Sequence, residues 1–318
     1  MITDNYDIMR IMKRFTLYLN AVILAGFLFC ALFPVSAADN KTSIGSTAAG
    51  SSVWEISKNG NTLFLGGSVH ILRDEDFPLP EEYDWAFMQS SILILEADID
   101  KMAEPEIVQY LMARMILPND KPLQTILNSE TYSLLKTKCE EFNFPIESVS
   151  MLKPSMITIL LTIMEIQKQG FVQQGVDIYY LEKAKETKKT LDFLETVETQ
   201  IDIITTIGEG YENDYVKYSL QELENSTEEI ISIVSDWRNG NAAYTEASIA
   251  ELKKSWSALY KTLLVDRNNA WMQRFDEFLT DEPVEFVIVG LAHLYGDDGL
   301  LRQLEQSGCT VKQLTGSR

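Results

Sequence analysis

Histidine is almost missing from this chain. Its 318 residues include two, His70 and His293, so any imidazole chemistry falls on those positions. Cysteine is scarce as well. Cys30, Cys139 and Cys309 have no neighbouring cysteine, which excludes a zinc ribbon and a Cys-x-x-Cys redox site. Lys and Arg number 27 against 47 Asp and Glu, a net charge of −20. That balance argues against a nucleic-acid partner, whose phosphates call for clustered cations. Gly66-Gly67 has no Gly-Lys-Ser/Thr after it, so no phosphate loop is supported. Ser68 lies in no Gly-x-Ser-x-Gly turn, which discounts a serine hydrolase. No repeat of 20–50 residues shows.

The composition that remains, 46% hydrophobic and 23% charged, fits an ordinary globular protein. The N-terminus is distinct. Arg10, Lys13 and Arg14 precede an apolar run from Phe15 to Phe33, and Val35-Ser36-Ala37 supplies a small-residue exit. This is the order of a cleavable signal peptide over residues 1–37, the alternative being an uncleaved membrane anchor. Phe27-Leu28-Phe29 before Cys30 is too bulky for a lipoprotein site. Residues 38–52 read as a flexible Ser/Thr/Gly/Ala linker, and 53–318 as the folded domain. The expected location is exported: periplasmic, cell-envelope or secreted. Export would permit a disulfide between Cys139 and Cys309.

Within the domain, Val53–Ile56 and Thr62–Leu65 flank Asn59-Gly60, the strongest short hairpin signal because both residues tolerate positive φ. Glu81–Ser90 reads as a helix and Ile92–Leu95 as a buried strand. Helical periodicity then takes over: Ile107, Tyr110, Leu111 and Ile116 on one helix, Leu134, Leu135 and Phe142 on a second. Pro154–Gln169 is the most apolar stretch. Its roughly 16 residues fall short of the ~20 needed to span a membrane, so a core helix is expected. Val176–Thr187 reads as a helix and Thr190–Leu194 as a short strand. Thr199–Trp237 and Ala242–Leu279 read as two longer helical stretches, followed by a strand over Val284–Val289, a helix over Leu300–Gln306 and a last strand over Thr310–Leu314. The expected class is α/β (α+β), with a mixed sheet built from the two chain ends around a large helical middle.

The two histidines stand in matched contexts. Leu63-Phe64-Leu65-Gly66-Gly67-Ser68-Val69-His70 and Phe286-Val287-Ile288-Val289-Gly290-Leu291-Ala292-His293 both run from apolar strand through Gly-x-x-His. Glu96 directly follows the Ile92–Leu95 strand. Ligands gather beyond the carboxyl ends of parallel strands, so His70, His293 and Glu96 converge if their strands are parallel neighbours. Two imidazoles and a carboxylate suit a divalent metal such as manganese, cobalt or zinc. The plainer alternative has each histidine capping a strand or satisfying a core hydrogen bond. Asp74, Asp76 and Asp98 are conceivable extra ligands but read as loop solubility, and Gly296–Gly299 as a turn. Arg267, in an otherwise apolar helix, calls for a carboxylate partner or binds a substrate carboxylate or developing oxyanion.

Together these residues resemble the TraB/PrgY/GumN family, which includes the TIKI metalloproteases. The carriers are Trp54, Leu63-Phe64-Leu65 into Gly67-Ser68-Val69-His70, Pro78-Leu79-Pro80 and Glu96. They continue with Gly175-Val176-Asp177, Ala184, Leu194-Glu195, Gln200, Arg267-Asn268 and Val289-Gly290-Leu291-Ala292-His293-Leu294 with Gly296 and Gly299. Gly66-Gly67-Ser68 departs from the single Gly followed by Thr of many relatives, but keeps the hydroxyl. The resemblance implies an erythromycin-esterase/ChaN-like fold. For the TIKI branch it implies a manganese- or cobalt-dependent peptidase, with His70, His293 and Glu96 at the metal and Arg267 and Asn268 lining the site. The function expected is an exported metal-dependent hydrolase acting on a peptide or small-molecule substrate. A non-catalytic binder of a peptide signal or haem is the alternative.

Overall fold

The computed structural model describes residues 50–118, 121–171, 174–280 and 283–316. The expected signal peptide, and the linker up to residue 49, lie outside them. In chain order the elements are β1 (Gly50–Lys58), β2 (Asn61–Ser68), α1 (Glu81–Gln89), β3 (Ile92–Leu95), α2 (Pro105–Met115), α3 (Ser129–Glu141) and α4 (Pro154–Lys168). Then come α5 (Val176–Thr187), β4 (Thr190–Phe193), α6 (Val197–Thr206), α7 (Glu212–Glu222), α8 (Ser226–Asn239) and α9 (Ala243–Ser255). The chain ends with α10 (Asp266–Phe278), β5 (Glu285–Gly290), α11 (Leu300–Gln306) and β6 (Thr310–Thr315).

Two compact units share these elements. Among described residues, one comprises 99–170 and 197–227, the other 50–98, 171–196 and 228–316. The first is helical. In α4, eleven of fifteen residues are buried, so this apolar segment is a core helix, as its length predicts. No described helix is long and apolar enough to cross a membrane. Two apolar residues assigned inward by periodicity face out. α3 buries Thr131, Leu135 and Cys139, one face at i, i+4, i+8, and leaves Leu134 47% exposed. α2 buries Ile107, Leu111 and Met115, so Ile116, just past the helix end, is 38% exposed and bridges to Leu152 instead.

The second unit holds a six-stranded mixed sheet, order β4-β3-β5-β2-β1-β6. β1 pairs antiparallel with β2 and β6, while β2–β5, β5–β3 and β3–β4 are parallel. Strands covered on both faces need continuous apolar runs rather than alternation. Leu63–Leu65, Leu93–Leu95 and Phe286–Val289 are such runs, all buried. The hairpin turn is as expected, with Asn59 and Gly60 at φ 53° and 94°.

Some boundaries differ from the sequence reading. Gly50, Ser51 and Ser52, read as the end of a linker, are strand residues of β1 with both serines buried. The sheet also recruits β4 from the middle of the chain. The stretch read as one helical run to Trp237 breaks at Gly208 and Gly210, whose φ values of 79° and 86° no helix contains. The stretch from Ala242 breaks at Trp256 (φ −136°, ψ 56°) and resumes through Ser257–Tyr260 and a π turn over Lys261–Val265. Cys139 and Cys309 are both buried free thiols.

Leu161→Ala, at a fully buried position of α4, is expected to cost about 2–5 kcal/mol. Leu134→Ala should stay within about 0.5 kcal/mol. Urea unfolding midpoints of the two variants check the inward face of this unit.

Candidate functional site at the carboxyl ends of four parallel strands

β4, β3, β5 and β2 are consecutive parallel strands, so their carboxyl ends open on one edge of the sheet. Each delivers a functional group just beyond its end: Glu195 after β4, Glu96 after β3, His293 after β5 and His70 after β2. Pairing continues past β3 and β4, with Leu194 N–H on Leu95 O at 3.0 Å and Glu195 N–H on Glu96 O at 2.8 Å. The two glutamates therefore leave the sheet side by side. His293 sits in a single 3₁₀ turn, Leu291–His293, directly after β5.

Two helices complete the site. α5 starts against the exit of β2, with Val176 N–H on Val69 O at 3.2 Å. Gly175 makes this approach possible, since a Cβ there would lie 2.5 Å from the His70 backbone. Asp177, in the first turn of α5, then meets β2. Its Oδ1 accepts the Ser68 hydroxyl at 2.8 Å and faces His70 Nδ1 at 3.0 Å. Ser68 thus donates to an aspartate and not to a histidine. α10 follows the π turn, which shifts its register so that Arg267, Asn268 and Trp271 are all buried.

Arg267 is the hub. Its Nε and Nη2 grip Glu195 at 3.1 and 2.6 Å, and Nη2 also reaches Glu96 Oε2 at 2.5 Å. Nη1 lies 2.8 Å from His293 Nε2 and 3.4 Å from Leu263 O in the π turn. The indole of Trp271 packs on both Arg267 (4.7 Å) and His293 (4.5 Å). Glu96 Oε1 accepts the Gly290 N–H at 2.6 Å. Guanidinium nitrogens only donate, so His293 Nε2 is the acceptor and Nδ1 carries the proton. That proton goes to Asn268 Oδ1 at 2.6 Å, while Asn268 Nδ2 donates to the His293 and Asp298 carbonyls.

The two imidazoles are pushed apart in proton affinity. Burial, the Arg267 charge and His70 hold His293 well below the usual histidine range. Burial also opposes a charge on His70, but the Asp177 carboxylate, aided by Glu96, outweighs it and raises His70. Burial raises the Glu96 carboxyl, against the pull of Arg267, His70 and the Gly290 N–H. The result is a neutral imidazole with a defined tautomer, a second imidazole that holds a proton more readily, and a carboxylate beside a guanidinium.

Glu96, Arg267, Asn268 and His293 are thus in direct contact, with His70 on the same sheet edge. Asp76 instead pairs with Arg73, at 3.2 Å. Asp297 pairs with Arg302 and Asp298 with Tyr260, in the turn expected over Gly296–Gly299. Sequence reasoning assigned no role to Glu195 or Asp177. For Glu195 a signal existed: it follows an extended segment as Glu96 does. Asp177 carried its place at a helix start and in the Gly175-Val176-Asp177 stretch of the family resemblance.

As single donors the residues suit a divalent metal. Both histidines have Nδ1 facing a side-chain oxygen, of Asp177 and of Asn268, while His293 Nε2 is taken by Arg267. As a set they are arranged about Arg267, and among the described residues no three His, Cys, Asp or Glu form a metal-holding group.

An α/β protein with a polar, charge-dense site at parallel strand ends is the class these features define. The model of the TraB/PrgY/gumN family matches residues 52–313, and the chain belongs to that family. It is also similar to a protein of Danio rerio named Metalloprotease TIKI1, at 21% identity over 326 aligned residues. That alignment takes in 86% of this chain and 65% of the relative, so the chain spans less than two thirds of that protein. No solved structure matches it.

Gly175→Ala tests how the site is assembled. Gly175 has φ −84° and ψ 179°, which alanine adopts freely, so the effect is steric. The methyl must displace the His70 backbone, at about 1–3 kcal/mol, and the thermal midpoint should fall accordingly.

Proposed function

We propose that this protein is a metal-dependent hydrolase acting on peptide bonds, with His70, His293 and Glu96 holding a divalent manganese, cobalt or zinc ion. The observation that carries this reading is the matched anchoring of the histidines. His293 Nδ1 is hydrogen-bonded to Asn268 Oδ1 at 2.6 Å, and His70 Nδ1 faces Asp177 Oδ1 at 3.0 Å. Outer partners of that kind fix tautomer and ring direction in metal-ligating histidines. Family membership and the similarity to the Danio rerio Metalloprotease TIKI1 support the same class.

A divalent ion supplies a Lewis acid for a carbonyl and acidifies water. The chain's own residues do the rest. Asp177 and Asn268 orient the imidazoles. Arg267, charged and buried, would turn an N–H now on Glu96 or His293 to a carbonyl oxygen as negative charge develops there, where a preorganised donor is worth most. Glu96 would hold the ion through Oε2, since its Oε1 accepts the Gly290 N–H. Export is part of the proposal and rests on the order of residues 10–40, basic, apolar, then small and polar.

Manganese, cobalt or zinc should raise the thermal midpoint of the purified chain by mass action, and His70→Ala and His293→Ala should abolish the shift. Cleavage of a peptide panel should require the same ion. Absence of any shift together with absence of cleavage would overturn the reading, and a Soret band on haem titration would then favour a binder. N-terminal sequencing of the exported protein should begin at Ala38.

A further inference from the structure

The helical unit of residues 99–170 and 197–227 holds a cavity of about 470 Å³ that shares no residue with the strand-end site. Small-molecule pockets run from roughly 300 to 1,000 Å³. The break between α6 and α7 shapes one wall. Gly208 lies there at φ 79°, and a Cβ on it would come 2.9 Å from the Tyr215 ring. Leu117, Ile207 and Tyr215, all buried, make the lining apolar. Ile116 carries that lining out to the surface, where it stands 38% exposed. An apolar side chain left half in water beside an apolar wall gains when a guest covers it.

The charge of the lining runs against that of the protein. Arg114, Lys121 and Lys153 stand against Glu209 and Glu212, a local balance of +1 in a chain that carries −20. Both carboxylates are engaged. Glu209 Oε1 takes the Lys153 ammonium at 2.6 Å, and Glu212 Oε1 accepts the Gly210 N–H at 3.1 Å. Arg114 meets Asp202 at 3.4 Å in an exposed pair, a contact worth little in water. Lys121 is exposed, and among the described residues no carboxylate pairs with it.

We propose that this cavity binds a medium-length aliphatic monocarboxylate. Its hydrocarbon chain lies along Leu117, Ile207 and Tyr215, and its carboxylate meets Lys121 and Arg114 at the mouth. The charge balance selects this class. A neutral hydrocarbon leaves the odd cation unmatched, and a cationic amphiphile adds to it. A dicarboxylate exceeds the local +1 and is repelled by the chain's overall charge. The site stands whether or not the strand-end cluster is a hydrolase.

Titration calorimetry on the full chain tests this with decanoate, decanol and decyltrimethylammonium, each kept below micelle-forming concentration. Wild type is compared with Ala113→Trp and Lys121→Glu. Both positions line the cavity and are exposed, so neither change reaches the core and the thermal midpoint should hold. Wild type should bind decanoate at one site, about tenfold more tightly than decanol, and should not bind decyltrimethylammonium. Added salt should weaken decanoate and leave decanol unchanged. Ala113→Trp, which puts an indole into the cavity, should abolish binding, and Lys121→Glu should weaken decanoate by about tenfold. Absence of saturable decanoate binding would overturn the proposal. So would binding that both variants retain in full, which would place it elsewhere on the chain, the apolar run of residues 15–33 included. Equal affinity for all three amphiphiles would overturn it as well, and that comparison, made on wild type, decides the matter even if a variant fails to fold.

Discussion

A guanidinium buried between two carboxylates is expensive to assemble and more expensive to break. Desolvating each charge costs several kcal/mol, recovered only when hydrogen-bond geometry is complete. Arg267 meets that condition through Glu195, Glu96, His293 and the Leu263 carbonyl. The arrangement constrains much around it. It fixes which nitrogen of His293 carries the proton, which in turn fixes the orientation of the Asn268 amide. It requires α10 to enter with Arg267 inward, and the π turn before it supplies that register. It also requires β3 and β4 to be neighbours, since only then do two glutamates leave the sheet together.

His70 is governed by a separate, smaller network. Asp177 answers to Ser68 and His70 and reaches them because a glycine lets α5 press against the β2 exit. The two histidines, alike in sequence context, therefore end in opposite electrostatic surroundings: one beside a carboxylate, the other against a cation. Sites that need one group to hold a proton and another to offer a lone pair are built from such contrasts.

Much of this was legible in the residues. The apolar runs ending at Leu65, Leu95 and Val289 announced buried strands, with His70, Glu96 and His293 gathering beyond them on one condition, that the strands be parallel neighbours, which they are. Asn59-Gly60 announced its hairpin. Arg267 left a protein carboxylate and a substrate group as alternatives, and the structure gives it Glu195 and Glu96. What stayed hidden has physical causes. Asp177 is brought to His70 by a helix packing that no local pattern encodes. Leu134 is apolar yet outward, because α3 buries a narrow stripe and one residue's rotation decides the face. Ser51 and Ser52 look like linker but are strand residues, because small side chains suit a close-packed strand as well as a flexible tether. The breaks at Gly208 and Gly210 lie in helix-like composition and show only as two glycines.

The strand order carries a consequence for how the chain reaches its native state. β5 is drawn from residues 285–290, yet it lies between β2 and β3, both from the first hundred residues. Until it inserts, each of those apolar strands has an unsatisfied edge, the feature that invites pairing with other chains. Pairings across such sequence distance are slow to form. The same long-range pairing that seals two sticky edges also brings in His293. Assembly of the site and protection from aggregation are one step.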